Sequence, residues 1–442
     1  MCSSSTSPST TPCGPDALIR HLFVPTCALA LFATLFPASR AVAQAGVSIG
    51  ITYRPGQKVA LLVLPVRGVF GDSIGQVLAR DFDFSDRFTV VPSSSAAEAV
   101  GAPNYELFAK LAVDGVVQGT LLPSGWLRVV LHDVAKKTIQ NSKDFPLPSP
   151  SGSPAWRLAV HGIADGVEEW IVGQRGIAQT QIAFSRDNRI WLIDSDGANA
   201  HAVTPSGLSA AWTPNGRSLV YNVMGAVQNL LLVTDLGTGA QRTLTSSRND
   251  HDFSPTVSPD GRTVVFARDA EGGTDMYSVP IEGGTPRRIT VGNGRANLGP
   301  SFSPDGQRIA FSSDRSGHNE VYISDLDGTN QELLTSGAFG DRNFRVSPDW
   351  SPNGQMVAFS SLNGTAGQIM IVGLKDQSMK LVTTEGKNED PSWAPDARHL
   401  VFTSNRSSIR QLWVVDIESG RTRPLTRGSS ARLSAWSPRL SP

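Results

Sequence analysis

The chain has 442 residues, and its 39 Lys plus Arg balance 39 Asp plus Glu, so its formal charge is zero. A neutral chain carries no basic footprint for nucleic acid or an anionic membrane surface. Gly (42) and Pro (29) exceed average usage while 40% of residues are hydrophobic, which excludes a disordered chain and favours turn-rich β architecture over helical bundles.

The first 43 residues predict a secretory signal peptide. Arg20-His21 precede the apolar run Leu22 to Phe36, and the small-residue site Ala41-Val42-Ala43 places cleavage between Ala43 and Gln44. Cys2, Cys13 and Cys27 all lie in this segment, so no disulfide or thiol chemistry is expected in the mature chain. Beyond it no apolar run reaches the 18 residues of a spanning helix.

Residues 44–57 predict an exposed, partly extended N-terminal arm. Residues 58–176 show no repeat and predict a small α/β domain. Its expected elements are a strand at 59–66, a helix at 73–82, a strand at 87–91 and a helix at 105–111 capped by Asn104. Three consecutive strands follow at 116–121, 126–133 and 137–145. Ser153 then caps a helix with Pro154 at its first position, and Gly173 to Gly176 serves as the hinge into the next domain.

Residues 177–442 repeat. An anchor of the type Trp350-Ser351-Pro352-Asn353-Gly354 recurs, with prolines at 214, 259, 304, 352, 395 and 438, spaced by 45, 45, 48, 43 and 43 residues. That period fits a four-stranded propeller blade. Each anchor is a turn, in which Pro fixes φ, Asp or Asn caps the turn and Gly supplies positive φ. Each unit continues through a β run such as Ile309-Ala310-Phe311 and closes on an apolar-Thr pair such as Leu334-Thr335. The first unit lacks an anchor strand, and a spare one follows the sixth at Ala431 to Pro438. The simplest closure uses that C-terminal strand in the first blade. The expected fold is therefore multidomain, α/β plus all-β, with a small N-terminal α/β domain before a six-bladed β-propeller.

Chemistry-bearing motifs are few. Gly71-Asp72-Ser73-Ile74-Gly75 matches the nucleophile-elbow pattern, but five residues separate it from the preceding strand where a sharp turn is needed. A helix N-cap at Asp72 or Ser73 explains the same residues. The seven histidines show no close pairing, and Asp194 to Gly197 and Asp325 to Gly328 lack the later ligands of a calcium loop, so neither cofactor nor metal is expected. The loops entering the anchor strands are instead mixed and polar, among them Asn249-Asp250-His251-Asp252, Arg295, Arg342 and Asn388-Glu389-Asp390. Gathered on one face of a ring, they suit protein binding.

The exported α/β domain, the Ser-Pro-Asp-Gly and Leu-Thr repeats, the helix around His161 and Asp165, the Gly173-x-x-Gly176 step and the Asp196 to Asn199 turn together resemble the TolB family of periplasmic Tol-Pal propeller proteins. The resemblance implies a non-catalytic, monomeric periplasmic protein. Such a protein binds the lipoprotein Pal through the loop face and TolA through the N-terminal arm, supporting outer-membrane integrity and constriction at division. It places His251 and Leu298 at the Pal contact, with Ser254 beside them, and makes Val47, Ile49 and Ile51 the TolA segment. The competing class is an exported propeller hydrolase or lactonase-like enzyme. A gated peptidase needs a further domain after Pro438, and a metal cup needs several channel-facing carboxylates.

Overall fold

The computed structural model describes residues 51–92, 103–225, 228–246, 250–270, 272–292, 295–336 and 343–441. The signal segment, the cleavage site Ala43/Gln44, and Val47, Ile49, Asn249 and Arg342 lie outside the described residues.

The first elements are β1 (Val59–Val63), α1 (Gly71–Phe84), β2 (Phe88–Val91), α2 (Tyr105–Lys110), β3 (Gly115–Leu121), β4 (Trp126–Asp133), β5 (Thr138–Pro146) and α3 (Pro154–Val172). The sheet order is β2-β1-β3-β4-β5, with β1 parallel to β2 and β3 and the remaining pairs antiparallel. Helices α1 and α3 cover one face, burying Ile74, Leu78 and Phe82 with Val160, Ile163 and Val167 over Leu61, Val117 and Val129. Asn104 and Ser153 cap α2 and α3 through the amides of Leu107 and Trp156. Neither Asp72 nor Ser73 caps α1. That helix begins earlier, after Phe70 in a left-handed conformation (φ 65°), with no side-chain cap. Gly71 is required there, because a Cβ would fall 2.0 Å from the Val66 carbonyl oxygen. Ser73 is exposed on the helix and lies well beyond the end of β1, so the strand-to-helix elbow of a hydrolase is not formed.

Six groups of strands follow. They are β6 (Gln181–Arg186), β7 (Arg189–Asp194) and β8 (His201–Ala202); β9 (Leu208–Trp212), β10 (Ser218–Met224), β11 (Asn229–Asp235) and β12 (Gln241–Thr243); and β13 (His251–Val257), β14 (Thr263–Ala270), β15 (Gly273–Pro280) and β16 (Arg287–Arg288). Next come β17 (Asn297–Phe302), β18 (Arg308–Ser313), β19 (Glu320–Asp325) and β20 (Glu332–Leu333), then β21 (Phe344–Trp350), β22 (Met356–Asn363), β23 (Ala366–Gly373) and β24 (Met379–Leu381). The last are β25 (Asn388–Trp393), β26 (His399–Ser407), β27 (Ile409–Asp416), β28 (Thr422–Pro424) and β29 (Arg432–Trp436).

Together they make a β-propeller. Four sheets are four-stranded, and one of eight strands joins β9–β12 to β13–β16 through a single parallel bridge, Asn229 to His251. The C-terminal strand β29 is the innermost member of the sheet β29-β6-β7-β8, pairing antiparallel with β6. The inner strands touch in ring order, β9, β13, β17, β21, β25, β29 and back to β9.

The repeat motifs are explained by hydrogen bonds. In four anchor turns the Ser or Thr hydroxyl meets the turn Asp or Asn, as Ser303 does Asp305 at 2.5 Å, and the glycine holds positive φ (70° at Gly306). The Thr of every apolar-Thr pair accepts the amide of a residue in the third strand: Ile190, Leu231, Met276, Val321, Ile369 and Leu412 donate to Thr204, Thr245, Thr290, Thr335, Thr383 and Thr426 at 2.9–3.1 Å. The threonine thereby ties each short outer strand to its neighbour. Tryptophans stitch adjacent sheets: Trp393 Nε1 donates to Asp349 O at 3.0 Å and Trp212 Nε1 to Ala435 O at 3.1 Å.

Candidate functional site: the loop face and channel of the propeller

Every inner strand carries one bulge at the same place. Ser209, Ser254, Gly299, Ser347, Asp390 and Leu433 sit there with φ between 48° and 59°, and the pairing register slips beside each. The bulges turn small residues and prolines toward a central channel of about 350 Å³. Two carboxylates line it. Burial pushes Asp349 up to about 6, although the Trp393 amide and Ser301 hydroxyl bond to it. Burial, joined by the neighbouring Glu389 charge, likewise brings Asp390 to about 6.

The inner strands define two faces. Each begins at a connecting loop and ends at an anchor turn, so His251, Asn297 and Asn388 stand on a loop face and the Pro-Asp-Gly turns on the other. The α/β elements occupy the turn face. Arg157 of α3 ion-pairs with Asp194 and Asp196 in the β7–β8 turn, and Arg421 pairs with Asp83 and Asp86 at the end of α1. His161 is buried there beside Asp81, at 2.7 Å, and Asp194. Burial alone would lower this imidazole, but the carboxylates outweigh it and push it up to about 10. His399 repeats the arrangement between Asp396 (2.7 Å) and Asp86 (3.5 Å), and the acids overcome burial to raise it to about 9. Asp165 and Glu168 on α3 are pushed up by burial to about 6 and 7. Gly176 allows the close approach, since a Cβ would lie 2.4 Å from Asp165 Oδ1.

Two groups have the separations of a metal site, Asp81-His161-Asp196 and Asp86-His399-Asp416. Guanidiniums already serve their carboxylates: Arg157 and Arg80 at Asp196, a bidentate Arg398 at Asp416, and Arg421 at Asp86. With imidazolium and guanidinium balancing each acid, both groups act as ion-pair networks clamping α1 and α3 to the propeller.

Among the described residues no helix or strand covers the loop face, and the expected partner residues fare differently on it. His251 starts β13 half-buried, Leu298 and Glu389 are half-buried just before their bulges, Ser254 lines the channel and Arg295 is exposed. Asp252 is a correction. It is 1% exposed and holds Arg268 in a bidentate pair at 2.6 and 2.9 Å, while Asp250 meets the same guanidinium at 3.3 Å. Asn388 is fully buried as well, its amide bonding Gln368, Thr383 and the Glu385 carbonyl. Both are committed to internal polar networks and offer no surface to a partner. Ile51, expected on a free arm, instead packs half-buried against the α/β core, and its amide donates to Asp133 Oδ2 at 3.1 Å.

Sequence reasoning missed the exposed apolar side chains of this face. Met224, Val291, Phe344 and Ile409, between 48% and 66% exposed, stand at strand ends and loops on the loop side. Only the direction of each strand reveals that they share one face. Among the described residues no helix is long and apolar enough to cross a membrane.

The architecture is thus that of a repeat propeller with one face covered by an α/β layer and, among the described residues, one uncovered face of mixed apolar and polar character. The model of the TolB beta propeller domain family matches residues 168–440, more than half of the chain. The chain belongs to that family. It is 29% identical over 228 residues to the Tol-Pal system protein TolB of Methylococcus capsulatus, covering 48% of this chain and 53% of that one. It is 28% identical over 237 residues to the protein of the same name from Actinobacillus pleuropneumoniae, covering 50% and 55%. The chain therefore spans about half the length of the curated relatives it matches. The crystal structure of TolB from Acinetobacter baumannii superposes with a TM-score of 0.77 at 21% identity over 87% of this chain and 98% of that one, a likeness of fold.

Proposed function

We propose that this protein is a non-catalytic, periplasmic, monomeric component of a Tol-Pal system that binds the lipoprotein Pal through its loop face. The observation that carries the reading is the open loop face itself, with half-buried Leu298 and exposed Met224, Val291 and Phe344 among polar groups. Exposed apolar side chains among polar groups on one face suit a binding surface. His251, Ser254, Arg295, Leu298, Glu389 and Asp390 are the contact residues that this placement favours, with Asp250 at the margin. The domain reading is an α/β domain over 58–176 and six blades over 177–442, the eight-stranded sheet counting as two because a single bridge joins its halves. The mature N-terminal arm, residues 44–50, is the TolA-binding segment, and its partner contact supports envelope integrity and constriction at division.

Calorimetric titration of residues 44–442 with the soluble domain of the same organism's Pal tests this. One-to-one binding that His251→Ala weakens supports it. No heat at micromolar concentrations removes Pal as the partner.

A further inference from the structure

The loop face is electrically lopsided where the ring closes. Three segments meet there: Arg186 to Arg189 joining β6 and β7, Asn405 to Arg410 joining β26 and β27, and Arg427 to Arg432 leading into β29. Their contact is direct. Arg186 Nη2 donates to Arg427 O at 3.3 Å, and the Ala431 amide donates to Arg410 O at 2.9 Å. Together they carry six arginines (186, 189, 406, 410, 427 and 432), one acid (Asp187) and no lysine.

Many arginines elsewhere in the molecule are ion-paired, as Arg87 is with Glu168, Arg268 with Asp252 and Arg398 with Asp416. Among the described residues none of these six enters an ion pair. Two of them, Arg186 and Arg189, stand directly opposite across the β6–β7 ladder, an arrangement that costs stability. Arg186 and Arg406 are held rigid by aromatic pairs, Phe184 with Trp191 and Phe402 with Trp413, at 4.7–5.5 Å. Burial lowers the affinity of both guanidiniums for their protons, against the opposing pull of Asp187 on Arg186 and of Glu385 on Arg406. Arg189, Arg410, Arg427 and Arg432 are exposed, and Gly428, Ser429, Ser430, Ser407 and Ser408 leave room around them.

We infer that this arginine sector, which borders Glu389 and Asp390, is a docking site for a carboxylate-rich segment of a partner protein. Guanidinium forks pair bidentately with carboxylates, and those already stacked on rings lose little freedom in doing so. A membrane surface fits less well, since interfacial binding scales with buried apolar area and these loops expose one large apolar side chain, Ile409.

The test uses residues 44–442, a fluorescein-labelled octaglutamate peptide read by anisotropy, and co-sedimentation with phosphatidylglycerol vesicles. The variant Arg189→Glu/Arg410→Glu/Arg432→Glu removes exposed members of the sector. Arg217→Glu/Arg262→Glu/Arg287→Glu makes the same charge change at exposed positions on the turn side of the propeller. Saturable peptide binding that weakens at least tenfold in the first variant and less than twofold in the second is the expected result. Equal loss in both variants, no peptide binding, or vesicle binding without peptide binding would each overturn the proposal.

Discussion

His399 makes the attachment of the α/β layer to the propeller depend on pH. Its ring lies between Asp396 and Asp86, and its folded value of about 9 stands above the unfolded 6.5. A group raised on folding contributes stability that is complete below pH 6.5 and is lost as pH rises through about 9. The interval is worth about 3 kcal/mol at ~1.4 kcal/mol per pH unit, and His399 is fully buried, so no solvent screening reduces it. Urea unfolding followed by tryptophan fluorescence, from pH 6 to 10, compares the native chain with His399→Gln. His161, Asp165 and Glu168 titrate in or near this range too, but they are common to both proteins and cancel in the difference. At pH 6 the native protein should be more stable by about 3–5 kcal/mol, the cost of breaking a buried pair. By pH 10 the gap should shrink by about 3 kcal/mol. A gap that stays constant across the range would refute a protonated His399.

Other outcomes follow from the same geometry. Trp436→Ala should cost about 3–5 kcal/mol, because it empties a buried site in the closing strand and removes the indole donor to Thr180, whose hydroxyl keeps only its bond to the Ile177 carbonyl; the denaturant midpoint reports it. Asp252→Ala should destabilise by about 3 kcal/mol by taking the bidentate partner from Arg268 and leaving it only Asp250, whereas His251→Ala on the same strand should stay within about 1 kcal/mol, so thermal melts separate structural from surface residues on one strand. Thr335→Val keeps the shape but leaves the Val321 amide without its acceptor, and a loss of about 1–3 kcal/mol is expected in urea unfolding.

Local signals explain what was legible beforehand. Ser303-Pro304-Asp305-Gly306 dictates its own turn within four residues, and Thr335 bonds Val321 fourteen residues away in the same unit, so both motifs announce the propeller directly. The closing strand was legible by subtraction, because one unit lacked an anchor and the C-terminus had a spare. The start of α1 was not, since Gly71 is selected by the distant Val66 carbonyl rather than by a cap. Burial of Asp252 depends on Arg268 facing it across the β13–β14 ladder, and Asn388 on Gln368 twenty residues earlier in the neighbouring sheet. A string of loop residues gives no hint of either. The arginine sector needs ring closure to exist at all, as Arg186 and Arg427 are 241 residues apart.

Amide hydrogen–deuterium exchange of residues 44–442 with and without the soluble Pal domain tests the central claim most directly. Protection confined to the loop face, at the starts of β13, β17 and β25 around His251, Leu298 and Glu389, is the predicted result. Protection at the Pro-Asp-Gly turns instead, or none at saturating Pal, would contradict it.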